Sequence, residues 1–287
     1  MTTTHNSLVS GAALEEHLGA WAVVDCRFDL QRENWGLDQY LEAHVPSAVY
    51  ASLSKDLSGR PDGSNGRHPL PSIDSIAETF GRLGIERSTQ VVAYDQDAGM
   101  YASRLWWMLR YLGHQAVAVL DGGWARWTAE GRPTANGAER RSPARFVPQP
   151  CPEMLATAAD VEAVLGQRSV VLVDARAPER FEGRSETIDR VAGHIPGAVN
   201  HFYKSNVTAS GEMLPPADLR QRFERVLGSR TPDHAIMYCG SGVTACHNLL
   251  AMEHAGLPGA RLFVGSWSEW SADPSRPVAT GPEPGRP

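Results

Sequence analysis

Short apolar runs recur along the chain, each closed by an aspartate or a small-residue break, with longer stretches of helix-like apolar spacing between them. "AVVDCRFDL" at 22–30 and "VLVDARAPE" at 171–179 are continuous apolar runs ending in Asp, as a strand buried on both faces reads where it reaches a loop. "VVAYDQDAGMYASRLWWMLRYLG" at 91–113 and "AIMYCGSGVTACHNLLAMEHAG" at 235–256 each read as strand, loop and helix. Short strands alternating with amphipathic helices predict an α/β fold, each half a mostly parallel sheet flanked by helices.

The pattern also repeats. "YLEAHVPSAVY" at 40–50 matches "VAGHIPGAVN" at 191–200, aligning His44 with His194 and Pro46 with Pro196, and "VLDGGWARW" at 119–127 matches "LFVGSWSEW" at 262–270. Four blocks recur in the same order at an offset of roughly 143 to 150 positions, so the chain is a duplication. The stretch 131–154, rich in Pro, Arg and small polar residues, reads as a connection. The expected division is a first domain over 1–135, a linker over 136–155 and a second domain over 156–287, whose Pro- and Gly-rich tail from 273 carries no regular element.

Composition narrows the function. A length of 287 residues suits two ordinary domains, and 42% apolar residues suffice for packed cores. The net charge of −6 disfavours a nucleic-acid partner, and no apolar run approaches the length of a membrane span. The first residues lack a basic start followed by an apolar stretch, so the expected location is the cytoplasm. Four cysteines, Cys26, Cys151, Cys239 and Cys246, are too few and scattered for a disulfide framework.

Cys239 stands apart from the other three. It follows the apolar run "AIMY" and opens C-G-S-G-V-T-A, a loop with two glycines, two hydroxyls and no charge, before a helix. Ligands of open α/β sheets bind beyond the carboxyl ends of the strands. Gly240 and Gly242 let the backbone curl so that successive N–H groups form an anion cradle at a helix N-terminus, a field that favours a thiolate. Cys26, Cys151 and Cys246 read as small buried hydrophobes, and a metal site at Cys239, Cys246 and His247 lacks the usual ligand spacing. The first half has Asp95 where the second has Cys239, so it reads as a scaffold that contributes side chains to the other half. His44, His194 and Asp174 read as structural. The pairs Trp106/Trp107, Trp124/Trp127 and Trp267/Trp270 read as core and interface.

With its paired "VVDCR" and "LVDAR", "HVPSA" and "HIPGA", "LDGGW" and "VGSW", and a single C-G-S-G-V-T-A loop, the chain resembles the two-domain rhodanese sulfurtransferases over nearly its whole length. The resemblance implies a rhodanese-like domain in each half and a persulfide on Cys239 as the covalent intermediate, with no cofactor and no metal. The neutral loop is similar to that of 3-mercaptopyruvate sulfurtransferases, whereas thiosulfate-preferring members carry basic residues just after the cysteine. It implies Arg180 for the substrate carboxylate and Gly240, Gly242, Val243 and Thr244 around the substrate. Ser241 and His68, the latter from the first half, are implied as members of a proton relay. The sulfur acceptor would be a thiol, a thioredoxin-like protein or cyanide.

Two positions depart from the family pattern. The relay's aspartate falls on Ser54, with Asp56 two positions further on, and the second carboxylate-binding arginine has no clean match, leaving Arg184 or Arg190. Three other activities compete with this one: thiosulfate as donor, a non-catalytic persulfide carrier, and a cysteine phosphatase. The phosphatase needs an arginine six residues after the cysteine, where this chain has Ala245.

Overall fold

A computed structural model describes residues 4–96 and 98–285. Two compact units emerge: residues up to 59 with 71–151 and 207–213 form the first, and 60–70, 152–206 and 214 onward form the second. Residues 136–151, read above as linker, run along the first unit, and 152–155 belong to the second. The reason is backbone pairing: Ala144 N–H donates to Gly81 O, Gln149 N–H to Leu112 O and Cys151 N–H to Tyr111 O, while Phe146 packs edge-on against Phe80.

In the first unit the chain runs β1 (Leu8–Val9), α1 (Gly11–Glu15), β2 (Ala22–Asp25), α2 (Trp35–Glu42), β3 (Val49–Tyr50), α3 (Ile73–Arg82), β4 (Val91–Tyr94), α4 (Ala102–Tyr111), β5 (Val117–Leu120) and α5 (Gly123–Ala129). The second unit repeats the plan with β6 (Leu155–Ala156), α6 (Ala158–Val164), β7 (Val171–Asp174), α7 (Pro178–Phe181), β8 (Val199–Asn200), α8 (Pro216–Leu227), β9 (Ala235–Tyr238), α9 (Thr244–His254), β10 (Arg261–Phe263) and α10 (Ser266–Trp270). The sheet orders are β1-β5-β4-β2-β3 and β6-β10-β9-β7-β8, with every pair parallel. Parallel strands need both faces covered, which is why β2, β4, β7 and β9 are buried at every residue and show no polar alternation, β2 and β7 being apolar up to their closing Asp25 and Asp174.

Tryptophans close each core as expected. Trp127 and Trp270 are buried, and their indole N–H groups donate to Pro133 O and Pro277 O. The tail from 273 carries no helix or paired strand among its described residues, yet it is tied down. His194 and Ala279 exchange backbone hydrogen bonds, and Gly281 N–H donates to Glu182 O. Arg286 and Pro287 lie outside the described residues. No helix among the described residues is long and apolar enough to cross a membrane.

Candidate active site

β9 is the most enclosed strand of the second sheet, all four residues at 0% exposure, and it delivers Cys239 at its carboxyl end. The chain turns through 239–243 and enters α9 at Thr244. Thr244 and Ala245, the last two residues of the C-G-S-G-V-T-A motif, form the first turn of the helix, so the turn itself spans five residues. The loop leads into the N-terminus of an eleven-residue helix, the positive end of its dipole.

The two glycines serve different needs. Gly242 has φ +70°, and a Cβ there would lie 2.2 Å from Val264 O, so the turn requires glycine twice over. Gly240 is not left-handed; its missing side chain leaves room for guanidinium groups. A Cβ there would begin 3.1 Å from Arg67 Nη2 and 3.5 Å from Arg180 Nη1 and Nη2.

Backbone and side chain fix the cysteine from the far side. Cys239 N–H donates to Ser266 Oγ (3.1 Å), whose own hydroxyl donates to Phe263 O (2.9 Å). Trp267 N–H donates to Cys239 O and Ser268 N–H to Gly240 O, both at 2.9 Å. Ser266 is fully buried at φ +56°, a region costly for a residue with a Cβ. Its counterpart by the repeat is Gly123, also at φ +56°. Sequence reasoning missed Ser266; the signal was the serine of "VGSW" where the first half has glycine in "LDGGW".

Ser241 and His68 meet. His68 Nδ1 lies 2.9 Å from Ser241 Oγ, with both residues buried. The histidine comes from the first half of the sequence, but the segment carrying it, 60–70, belongs to the second unit. Gly66 packs against Gly265 there, and Arg67 N–H donates to Ser268 Oγ at 3.0 Å.

Arg180 leaves α7 toward the same loop. Its Nε donates to both oxygens of Glu186 (3.1 and 3.0 Å) and its Nη2 reaches Asp189 Oδ2 at 2.8 Å. The other Asp189 oxygen accepts from Arg67 Nη1 at 2.6 Å. Thus a second arginine does stand beside Arg180, and it is Arg67. Arg184 is instead an exposed partner of Glu182, and Arg190 is exposed. The segment 183–194 supplies carboxylates to the site, because Glu186 is held by the N–H groups of Ile188 and Asp189 in a tight turn. Burial opposes the charge on Glu186, but the Arg180 hydrogen bonds and these two N–H donors outweigh it and hold the carboxyl below its usual range. The clue for Arg67 was its place immediately before His68.

Asp56 has its two oxygens engaged within the first unit, one by Ser52 N–H at 2.7 Å and the other by Arg82. Ser54 Oγ lies 3.2 Å from Ser52 Oγ. In the loop equivalent to 239–243, the fully buried Asp95 accepts from the N–H groups of Gly99, Tyr101 and Ala102 at 2.6–3.0 Å. The first unit's cradle is filled by its own carboxylate. Far from meeting an anion, Asp95 takes the anion's place.

The residues read as structural are so engaged. Asp174 is buried in a forked pair with Arg176, whose guanidinium lies 4.9 Å from the Trp267 ring, and Asp25, Arg27 and Trp124 repeat the arrangement. His194 stacks on Phe181 and His44 on Tyr40. Cys246 donates its thiol to Gly242 O at 3.2 Å, bracing the loop from behind.

Comparison with known proteins places the fold in a family. The rhodanese-like domain family matches residues 10–130 and again 157–273. A probable 3-mercaptopyruvate sulfurtransferase of Pseudomonas aeruginosa is 48% identical over 90% of this chain and 92% of its own length. A thiosulfate sulfurtransferase of Bos taurus is 38% identical over 81% of this chain and 78% of its own. Among solved structures, 3-mercaptopyruvate sulfurtransferase from Leishmania major superposes with a TM-score of 0.82 at 30% identity, covering 93% of this chain and 74% of that one. With two copies of the domain in tandem, and its loop cysteine in the second, the chain belongs to the rhodanese family.

Proposed function

We propose that this sulfurtransferase takes its sulfur from 3-mercaptopyruvate, holds it as a persulfide on Cys239, and passes it to a thiol, a thioredoxin-like protein or cyanide in the cytoplasm. Arg180 and Arg67 bind the substrate carboxylate, Arg180 through the planar fork that suits a carboxylate. The Cys239 thiolate attacks the substrate sulfur. The carbon–sulfur bond breaks and its electron pair passes to carbon as the enolate of pyruvate. A proton relayed through Ser241 and His68 reaches that carbon and releases pyruvate. An acceptor thiolate or cyanide then attacks the outer sulfur, and Cys239 departs as thiolate, ready for another cycle. Gly240, Gly242, Val243 and Thr244 shape the cradle in which the charge develops.

The observation that carries the choice of donor is the 2.9 Å contact between His68 Nδ1 and Ser241 Oγ, two residues from the cysteine. Mercaptopyruvate gives a carbon leaving group that must gain a proton; thiosulfate departs as sulfite, which needs none at that moment. Steady-state rates with both donors test the reading. Ser241→Ala and His68→Ala are expected to slow the mercaptopyruvate reaction by roughly 10²- to 10⁴-fold, the range of acid–base assistance, and the thiosulfate reaction far less. Equal losses with both donors would assign the two residues to loop shape alone.

A further inference from the structure

We infer that Asp189, supported by Glu186, is the residue that sets the donor preference of this site, by cancelling arginine charge so that a monocarboxylate is favoured over the thiosulfate dianion. The inference rests on the assignment above of Arg180 and Arg67 to the donor anion.

The geometry is that of a shared counter-ion. Asp189 gives one oxygen to Arg67 (2.6 Å) and the other to Arg180 (2.8 Å), with only 5% of its side chain exposed. Glu186, 3% exposed, lies on the opposite edge of Arg180 at 2.9 Å. Each arginine is therefore held from behind, and its remaining edge is turned to the loop. Arg67 Nη2 and Arg180 Nη1, the nitrogens beside Gly240, donate to no protein acceptor among the described residues. Arg67 Nε is buried without an acceptor as well. Two positive charges thus meet two negative ones before any substrate arrives. Arg176, which also approaches Glu186 at 3.4 Å, is balanced by Asp174.

A neutral cluster that still presents two directed donors binds by hydrogen-bond geometry more than by net field. One carboxylate fits it, with the rest of the donor uncharged. A dianion gains the same hydrogen bonds but feels the Asp189 charge twice over. The C-G-S-G-V-T-A loop adds no positive side chain to offset this.

The test compares donors of different charge in one protein. Asp189→Asn keeps the shape and removes the charge, and Asp189→Glu keeps the charge. For a carboxylate about 6 Å from the donor and an effective dielectric of about 40, the ratio of kcat/KM for thiosulfate to that for 3-mercaptopyruvate should rise roughly tenfold in Asp189→Asn. The gain should fall mainly in the thiosulfate KM, and Asp189→Glu should hold the ratio within about twofold of the parent. Asp189→Ala should shift it in the same direction as Asn, which keeps the question answerable where one variant folds poorly. An unmoved ratio in both uncharged variants, with an active parent, overturns the role of Asp189 alone. No transfer from either donor by the parent protein overturns the functional reading and this inference together.

Discussion

Replacing each loop glycine by alanine separates the two reasons for which glycine is present. At Gly242 an L-residue must hold φ +70°, a conformation that costs on the order of 1–3 kcal/mol. Its Cβ would also lie 2.2 Å from Val264 O, so strand end and loop must part by roughly 1 Å. Val264 is followed by Gly265 and Ser266, and Ser266 holds the Cys239 N–H, so that retreat moves the nucleophile itself. A displacement of about 1 Å at a reacting group costs about 10²-fold in rate. Gly242→Ala is therefore expected to lose about 1–3 kcal/mol of stability in urea denaturation. Persulfide formation should slow by about two orders of magnitude with every donor, measured in a single turnover. Gly240→Ala should behave differently. Its backbone is unstrained, and the added methyl meets only the movable ends of Arg67 and Arg180 at 3.1 and 3.5 Å. Stability should stay within about 0.5 kcal/mol of the parent, and the loss should appear as a raised donor KM. A Gly242→Ala protein with an unimpaired single turnover would refute the account of the loop, as would a Gly240→Ala protein that is the less stable of the two.

Two further outcomes are open to measurement. Incubation with 3-mercaptopyruvate should add one sulfur atom at Cys239 by mass spectrometry and none in Cys239→Ser, whereas Cys246→Ser should keep most activity because a hydroxyl can replace the thiol donor to Gly242 O; sulfur transfer by Cys239→Ser would end the persulfide mechanism. Burial pushes His201 and His114 below the ordinary 6.5, only partly offset by the hydrogen bonds of each ring. Both rings bind a proton less readily when folded, so the unfolded chain binds more protons as pH falls past about 6.5 and stability should fall as pH drops through that value. Urea midpoints over that range should decline on the acid side, with a shallower decline in His201→Gln; identical slopes in the two proteins would count against the histidine contribution.

Much of the fold was legible because parallel strands buried on both faces leave continuous apolar runs, and because the duplication wrote each run twice. β9 and the position of Cys239 follow directly from "AIMYC". What escaped was set by contacts distant in sequence. Arg67 lies 122 positions from Asp189, and nothing in "GRHPLP" announces an ion pair across that separation. The segment 183–194 offers Arg184 and Arg190 in sequence, yet a turn closed on Glu186 turns its carboxylates toward Arg180. Ser266 escaped because a left-handed backbone is a property of the folded chain; only comparison with Gly123 in the other half betrays it.

The membership of segment 60–70 has a consequence for ancestry. A chain born by copying one domain would at first be divisible at its midpoint into two self-sufficient pieces. Here, a piece beginning at 152 would retain Cys239, Ser241 and Arg180 but leave His68 and Arg67 behind, since both are encoded ahead of α3. The first unit holds 207–213 in return, where Met213 N–H donates to Asp121 and Glu212 pairs with Arg126. Each unit includes a few residues lying within the other's stretch of sequence. A return to the single-domain state would thus require the His68 contact to Ser241 and half the arginine pair to be rebuilt from new positions.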